Sequence, residues 1–169
     1  MPWLGSLVFT MAMLTHKSPY VAFSDDTGQA RYQGIALLTL KRETAVQLAT
    51  SVCSVERKNP GAEFKWVNVK GSRGCANAKK VFKIVIEYAR TKRMRVDVLT
   101  WDLEDVRHNI PNRDDISNKH RMYYFLFRDV LRKRWPDDSV WTLYPDEDTA
   151  MDWRSVKAFL DPQGIDVEF

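Results

Sequence analysis

Residues 33–40 read QGIALLTL, a run too apolar to leave either side in water. A short run of this kind, bounded by charged and turn-forming residues, fits a strand buried on both faces. Such a strand needs packed layers above and below its sheet, so the fold must supply helices. The segment before it, residues 20–24 (YVAFS), also has strand character and is expected to end at the turn residues Asp25-Asp26-Thr27-Gly28. Residues 27–31 then make the connection a hairpin.

Strand and helix patterns alternate after that hairpin. Residues 43–57 place Ala45, Leu48, Ala49 and Val52 at helical spacing, and Asn59-Pro60-Gly61 breaks the helix. Residues 63–69 read as a short strand and residues 70–74 as a basic glycine loop. Ala78, Val81, Phe82, Val85, Ile86 and Ala89 then outline an amphipathic helix. A strand over 95–101 exits at Asp102. Ser117 is placed to cap a helix whose apolar face holds Met122, Tyr123, Leu126, Phe127, Val130 and Leu131. A strand over 140–144, a helix opening at 146–148 and a last strand within 164–169 follow. This order predicts an α/β fold, a mixed sheet with helices packed on it. One domain over 20–169, preceded by an apolar extension over 1–19, accounts for the chain.

The 169 residues are 44% hydrophobic and 28% charged, which fits a globular domain and excludes disordered and collagen-like classes. Cys53 and Cys75 are too few for a disulfide framework and lack metal-ligand spacing. The apolar N-terminal run has no basic residues ahead of it and is too short to span a bilayer. It reads as a packed segment or a docking segment for a protein partner or second copy. The expectation is a cytoplasmic protein with no membrane contact.

Net charge is +4, but residues 136–169 carry nine acids against Arg154 and Lys157, leaving the rest of the chain at +11. A basic body beside an acidic cluster suits nucleic acid next to a metal-binding edge, and it also suits solvated helix faces with acidic turns.

Asp25, Asp102 and Asp146 sit where strands end, and Glu63 follows a helix and a turn. Carboxylates gathered at one sheet edge are what two-metal phosphoryl chemistry requires, because Mg²⁺ and Mn²⁺ prefer hard oxygen ligands. Each acid alone also fits an ordinary turn role. Their order, with Asp25 after the first strand and Asp146 after a later one, resembles the ribonuclease H-like layout. The segment from Tyr20 through Asp25-Asp26-Thr27-Gly28 is similar to the opening D-E-S-G motif of the domain of unknown function 3800 family, regarded as ribonuclease H-like. Gln33-Gly34 and the apolar residues after it resemble that family's second strand. Glu63-Phe64-Lys65 resembles its E-x-K element, and Tyr123-Tyr124 begins a helix of the kind it places before the next Asp strand.

The resemblance implies a metal-dependent nuclease with Asp25, Glu63 and Asp146 as catalytic Mg²⁺ or Mn²⁺ ligands. Asp26 stands where the family has Glu. The family's last acid comes from a C-terminal Gln-x-x-Asp-like motif beyond the position of Phe169, so Asp148 and Asp152, ahead of Asp102, are the expected further ligands. A partner is another source of that acid. Lys65, Lys70, Arg73, Lys79 and Lys80 are the expected nucleic-acid contacts, with N–H groups around Gly71 to Gly74 offered to a phosphate. The loop lacks the Lys-Ser/Thr ending of a nucleotide-binding P-loop. Two other readings remain: a non-catalytic binding module on the same fold, and, ranked lower, an aspartic protease built on Asp26-Thr27-Gly28.

Overall fold

A computed structural model describes residues 18–29, 31–55, 69–108, 110–111, 113–136, 139–145, 151–165 and 167–168. The expected strand over 63–69 and the extension over 1–19 lie outside these residues, apart from Val69 and Ser18-Pro19.

The chain divides into two compact units, residues 18–39 with 96–169, and residues 40–95 with 1–17. Strands β1 (Tyr20–Gln29), β2 (Tyr32–Lys41), β3 (Met94–Asp102), β4 (Trp141–Pro145) and β5 (Val167–Glu168) form one sheet in the order β3-β2-β1-β4-β5. The first two strands are adjacent and joined by two residues, which makes them an antiparallel hairpin. β4 runs parallel to β1, and β5 runs parallel to β4. The sheet is therefore mixed, as the alternation of patterns predicts.

The hairpin differs from expectation in one respect that matters. Asp25-Asp26-Thr27-Gly28 is not a turn, because β1 continues through it to Gln29. Pairing with a ten-residue β2 holds these residues extended, and local turn preference yields to ladder hydrogen bonds. Strand geometry then sends Asp25 and Asp26 to opposite faces.

In the larger unit, helix α3 (Asp115–Phe127) runs on through a wider helical turn at Arg128–Arg132, and helix α4 covers Trp153–Leu160. Their apolar faces meet Ala22, Ile35, Leu37, Trp101, Trp141 and Leu143 in one buried cluster. Tyr123, Phe127, Leu131 and Leu160 are its largest helical members. Tyr20, Trp135 and Trp141 pack ring against ring at 5.1–5.4 Å, and the Trp135 indole donates to Thr39 Oγ1 at 3.1 Å. Asp114, rather than Ser117, caps α3, its carboxylate accepting from the Ser117 backbone at 2.8 Å.

In the other unit, helix α1 (Arg42–Val55) buries Thr44, Ala45, Leu48, Ala49 and Val52, and helix α2 (Gly71–Arg90) packs on it. The expected glycine loop at 70–74 is instead the first turn of α2. Glycine costs a helix only about 1 kcal/mol relative to alanine, and the strongly periodic segment behind it outweighs that. Of the apolar residues expected to face inward, Ala78 is buried and Val81 and Val85 are half-buried, whereas Phe82 and Ile86 are exposed. Among the described residues no helix is long and apolar enough to cross a membrane.

Candidate functional site

The C-terminal half of β1 carries the site. Ala22 belongs to the core cluster, so Ser24 and Asp26, two and four residues on, share its helix-covered face. Asp26 is partly buried there. Lys119, on the first half of α3, places Nζ 2.7 Å from Asp26 Oδ2, and both side chains are only about a fifth to a quarter exposed. One helical turn on, the Tyr123 hydroxyl donates to the same oxygen at 3.0 Å. Burial pushes the Tyr123 phenol well above its ordinary pKa, and the neighbouring Asp26 carboxylate adds to the shift. The phenol therefore stays a donor at neutral pH.

Asp26 and Lys119 open onto a pocket of about 210 Å³, walled by Trp101, Ile116 and Met151, with Gln33 and Asp115 adding polar groups. Asp152 precedes the α4 helix beside this region. Its carboxylate accepts from the Arg154 and Ser155 backbone at 3.1 and 3.4 Å and from Ser155 Oγ at 2.6 Å. These bonds hold its pKa below the usual carboxylate range. The Asp152 backbone N–H donates to His120 Nε2 at 2.8 Å, while His120 Nδ1 lies 2.8 Å from the Ile116 carbonyl. Nε2 accepts the first of these bonds and Nδ1 donates the second.

Asp25 is exposed and leaves β1 on the face of Phe23, whose ring stacks on Tyr144 of β4 at 5.2 Å. Asp102 lies at the end of β3, held by Arg31, whose Nε donates to its two oxygens at 2.9 and 2.8 Å. That bond pulls the Asp102 pKa down. Lys70 precedes α2, and Arg73, Lys79 and Lys80 are exposed on it. Glu63, Lys65, Asp146 and Asp148 lie outside the described residues. Among the described residues no group of three His, Cys, Asp or Glu side chains could hold a metal ion.

Two uncharacterized proteins of Methanothermobacter thermautotrophicus, ORF2' and ORF2, are 34% and 31% identical to this chain over 159 residues. Each alignment covers 88% of this chain and 55% of the relative, so the chain spans about half the length of the curated relatives it matches. No family model matches the chain. No solved structure matches it either.

Sequence reasoning chose Asp25 as the ligand and took Asp26 only as the counterpart of the family's Glu or a protease acid. It read Lys119 as part of a solvated basic helix face and did not pair it with Asp26. One signal was available. Lys119 lies four residues before Tyr123 and seven before Leu126, on the apolar side of its helix. A lysine on a buried stripe needs an acid, and Asp26 is that acid.

Proposed function

We propose that this chain is a ribonuclease H-like, metal-dependent nuclease that hydrolyses phosphodiester bonds in nucleic acid. The observation carrying this reading is the parallel register of β1 and β4, which runs from Tyr20↔Trp141 to Ser24↔Pro145. The next residue after each member of that last pair is an aspartate, Asp25 and Asp146. A β1–β4 edge of this kind is where the ribonuclease H-like layout has its acids, although Asp146 itself lies outside the described residues. A central first strand flanked by a hairpin partner and a parallel fourth strand also supports the ribonuclease H-like layout and the resemblance to the domain of unknown function 3800 family.

The donor set fits a hard divalent cation. Asp25, Glu63 and Asp146, with Asp148 as a further ligand, offer only carboxylate oxygens, and Asp25 is accessible on its strand. These carboxylates would hold Mg²⁺ or Mn²⁺, which when bound would supply the charge that lowers the pKa of water and stabilises a leaving oxygen. The chain's own residues do the rest. Asp26 is held by Lys119 and Tyr123, which ties this part of β1 to α3. Asp152 serves the start of α4, since its oxygens are engaged by backbone and Ser155 donors. The cations before and along α2, Lys70, Arg73, Lys79 and Lys80, with Lys65, attract the phosphate backbone.

Incubation of the purified chain with single-stranded, duplex and hybrid oligonucleotides, with Mg²⁺ or Mn²⁺ and then with chelator, tests the reading. Cleavage that needs the metal and disappears in Asp25→Asn supports it. Binding without cleavage of any substrate would leave a non-catalytic module on this fold and overturn the enzyme.

A further inference from the structure

We infer that the outer edge of β3 is a homodimer interface, on which a second copy of this chain lays its own β3 antiparallel about a two-fold axis at Val96. Strand β3 ends its side of the sheet, and among the described residues it pairs with β2 alone. Nine residues long, it offers a row of backbone donors and acceptors on its other side. Leu99 and Trp101 of this strand face the core cluster, so Val96 and Val98 leave the sheet on the opposite face. They are 52% and 63% exposed. A groove of about 290 Å³ lies at the same strand, lined among others by Asp97, Val98, Leu99, Phe125, Asp129 and Lys133. Side chains alternate along a strand, so three successive residues share one groove where their backbone edge opens onto it. A long strand with an open edge and exposed valines is a template for another strand.

Charge complementarity identifies that strand. Turned end for end about Val96, the segment Met94-Arg95-Val96-Asp97-Val98 matches itself. Across the two copies Val96 faces Val96, Met94 faces Val98, and Arg95 faces Asp97. Directly opposed side chains have Cβ atoms about 4.5–5.5 Å apart, where opposite charges attract and like charges destabilise. An axis at Arg95 or at Asp97 would set that charge against its own copy. An axis at Val98 would set Asp97 against Leu99 and Arg95 against Trp101. Arg95 and Asp97 are half-buried and also have partners within their own chain. Their part is therefore to select the register, while the backbone edge and the valines supply the contact. Both copies use the same patch, so the assembly closes at two. Strand β2 separates β3 from β1, and the inference stands whether or not the chain cleaves nucleic acid.

Sedimentation equilibrium of the full chain, from low to high micromolar concentration, tests this. The parent is expected to form a dimer and nothing larger. Val96→Lys and Val96→Glu each set two like charges across the axis and are expected to weaken the dimer about tenfold or more. An equimolar mixture of the two variants brings opposite charges together there and is expected to restore association. A role for Val96 in the fold of the single chain would not produce that rescue. Val96 is exposed, and far-UV circular dichroism matching the parent confirms that both variants fold. A parent that stays monomeric, or association that continues beyond the dimer, overturns the inference. So do variants that dimerise like the parent, or a mixture that associates no more tightly than either variant alone.

Discussion

Lys119 Nζ lies 2.7 Å from Asp26 Oδ2, and the Tyr123 hydroxyl reaches the same oxygen at 3.0 Å. A sheet acid is thus tied to two successive turns of α3. With both ion-pair partners mostly shielded, this contact lies between an exposed pair and a buried one. Lys119→Met is expected to destabilise the fold by about 1–3 kcal/mol, above the surface value and below the fully buried one. Urea unfolding of Lys119→Met, Asp26→Asn and the double variant checks this. The double variant should lose less than the two singles combined, because it leaves no stranded charge. Strict additivity would mean that the two residues do not act as a pair.

Tyr123→Phe removes one hydrogen bond to a charged acceptor and keeps the ring packed against Trp153 and Phe127, at centroid distances of 5.0 and 5.6 Å. The expected loss is about 1–3 kcal/mol. Tyr123→Ala also leaves a cavity and is expected to lose about 3–5 kcal/mol. Because the folded-state pKa of Tyr123 is raised, its contribution is complete below the unfolded value of about 10 and declines as pH rises above it. Stability measured between pH 8 and 11 should fall less steeply in Tyr123→Phe than in the parent.

The strand and helix order was legible in the sequence because QGIALLTL and the apolar helix faces are strongly patterned. The hairpin turn was not, since Asp25-Asp26-Thr27-Gly28 has turn composition and only pairing with β2 keeps it extended. That misplacement concealed the consequence for the site, namely that neighbouring acids point to opposite faces. The start of α2 was hidden for a similar reason, as Gly71 and Gly74 read as loop residues although a long periodic segment follows them. Asp152 was expected as a further ligand, and only the positions of Arg154 and Ser155 reveal how its oxygens are engaged.

The caps give an acid dependence. Hydrogen bonds from Ser117 and Ser155 hold the Asp114 and Asp152 carboxyls below their ordinary pKa. A depressed carboxylate contributes stability that is complete above the unfolded value of about 3.9 and is lost as pH falls through the folded one. Asp114→Ala and Asp152→Ala should each lower Tm at neutral pH, with the gap to the parent closing as the pH drops below that range. Thermal melts across pH 2–7 provide the check. A gap that persists unchanged into acid would mean that the charged caps contribute nothing.

The central proposal is that Asp25, in the second half of β1, and Asp146, which follows β4 in the sequence, share a divalent cation. Its most direct measurement is calorimetric titration of Mn²⁺ into the folded chain, the parent beside Asp25→Asn, Asp146→Asn and Asp152→Asn. Parent binding that is lost in Asp25→Asn and in Asp146→Asn, with Asp152→Asn retaining it, is the predicted result. Mn²⁺ affinity unchanged by both Asp25→Asn and Asp146→Asn, in variants whose circular dichroism matches the parent, would contradict the account.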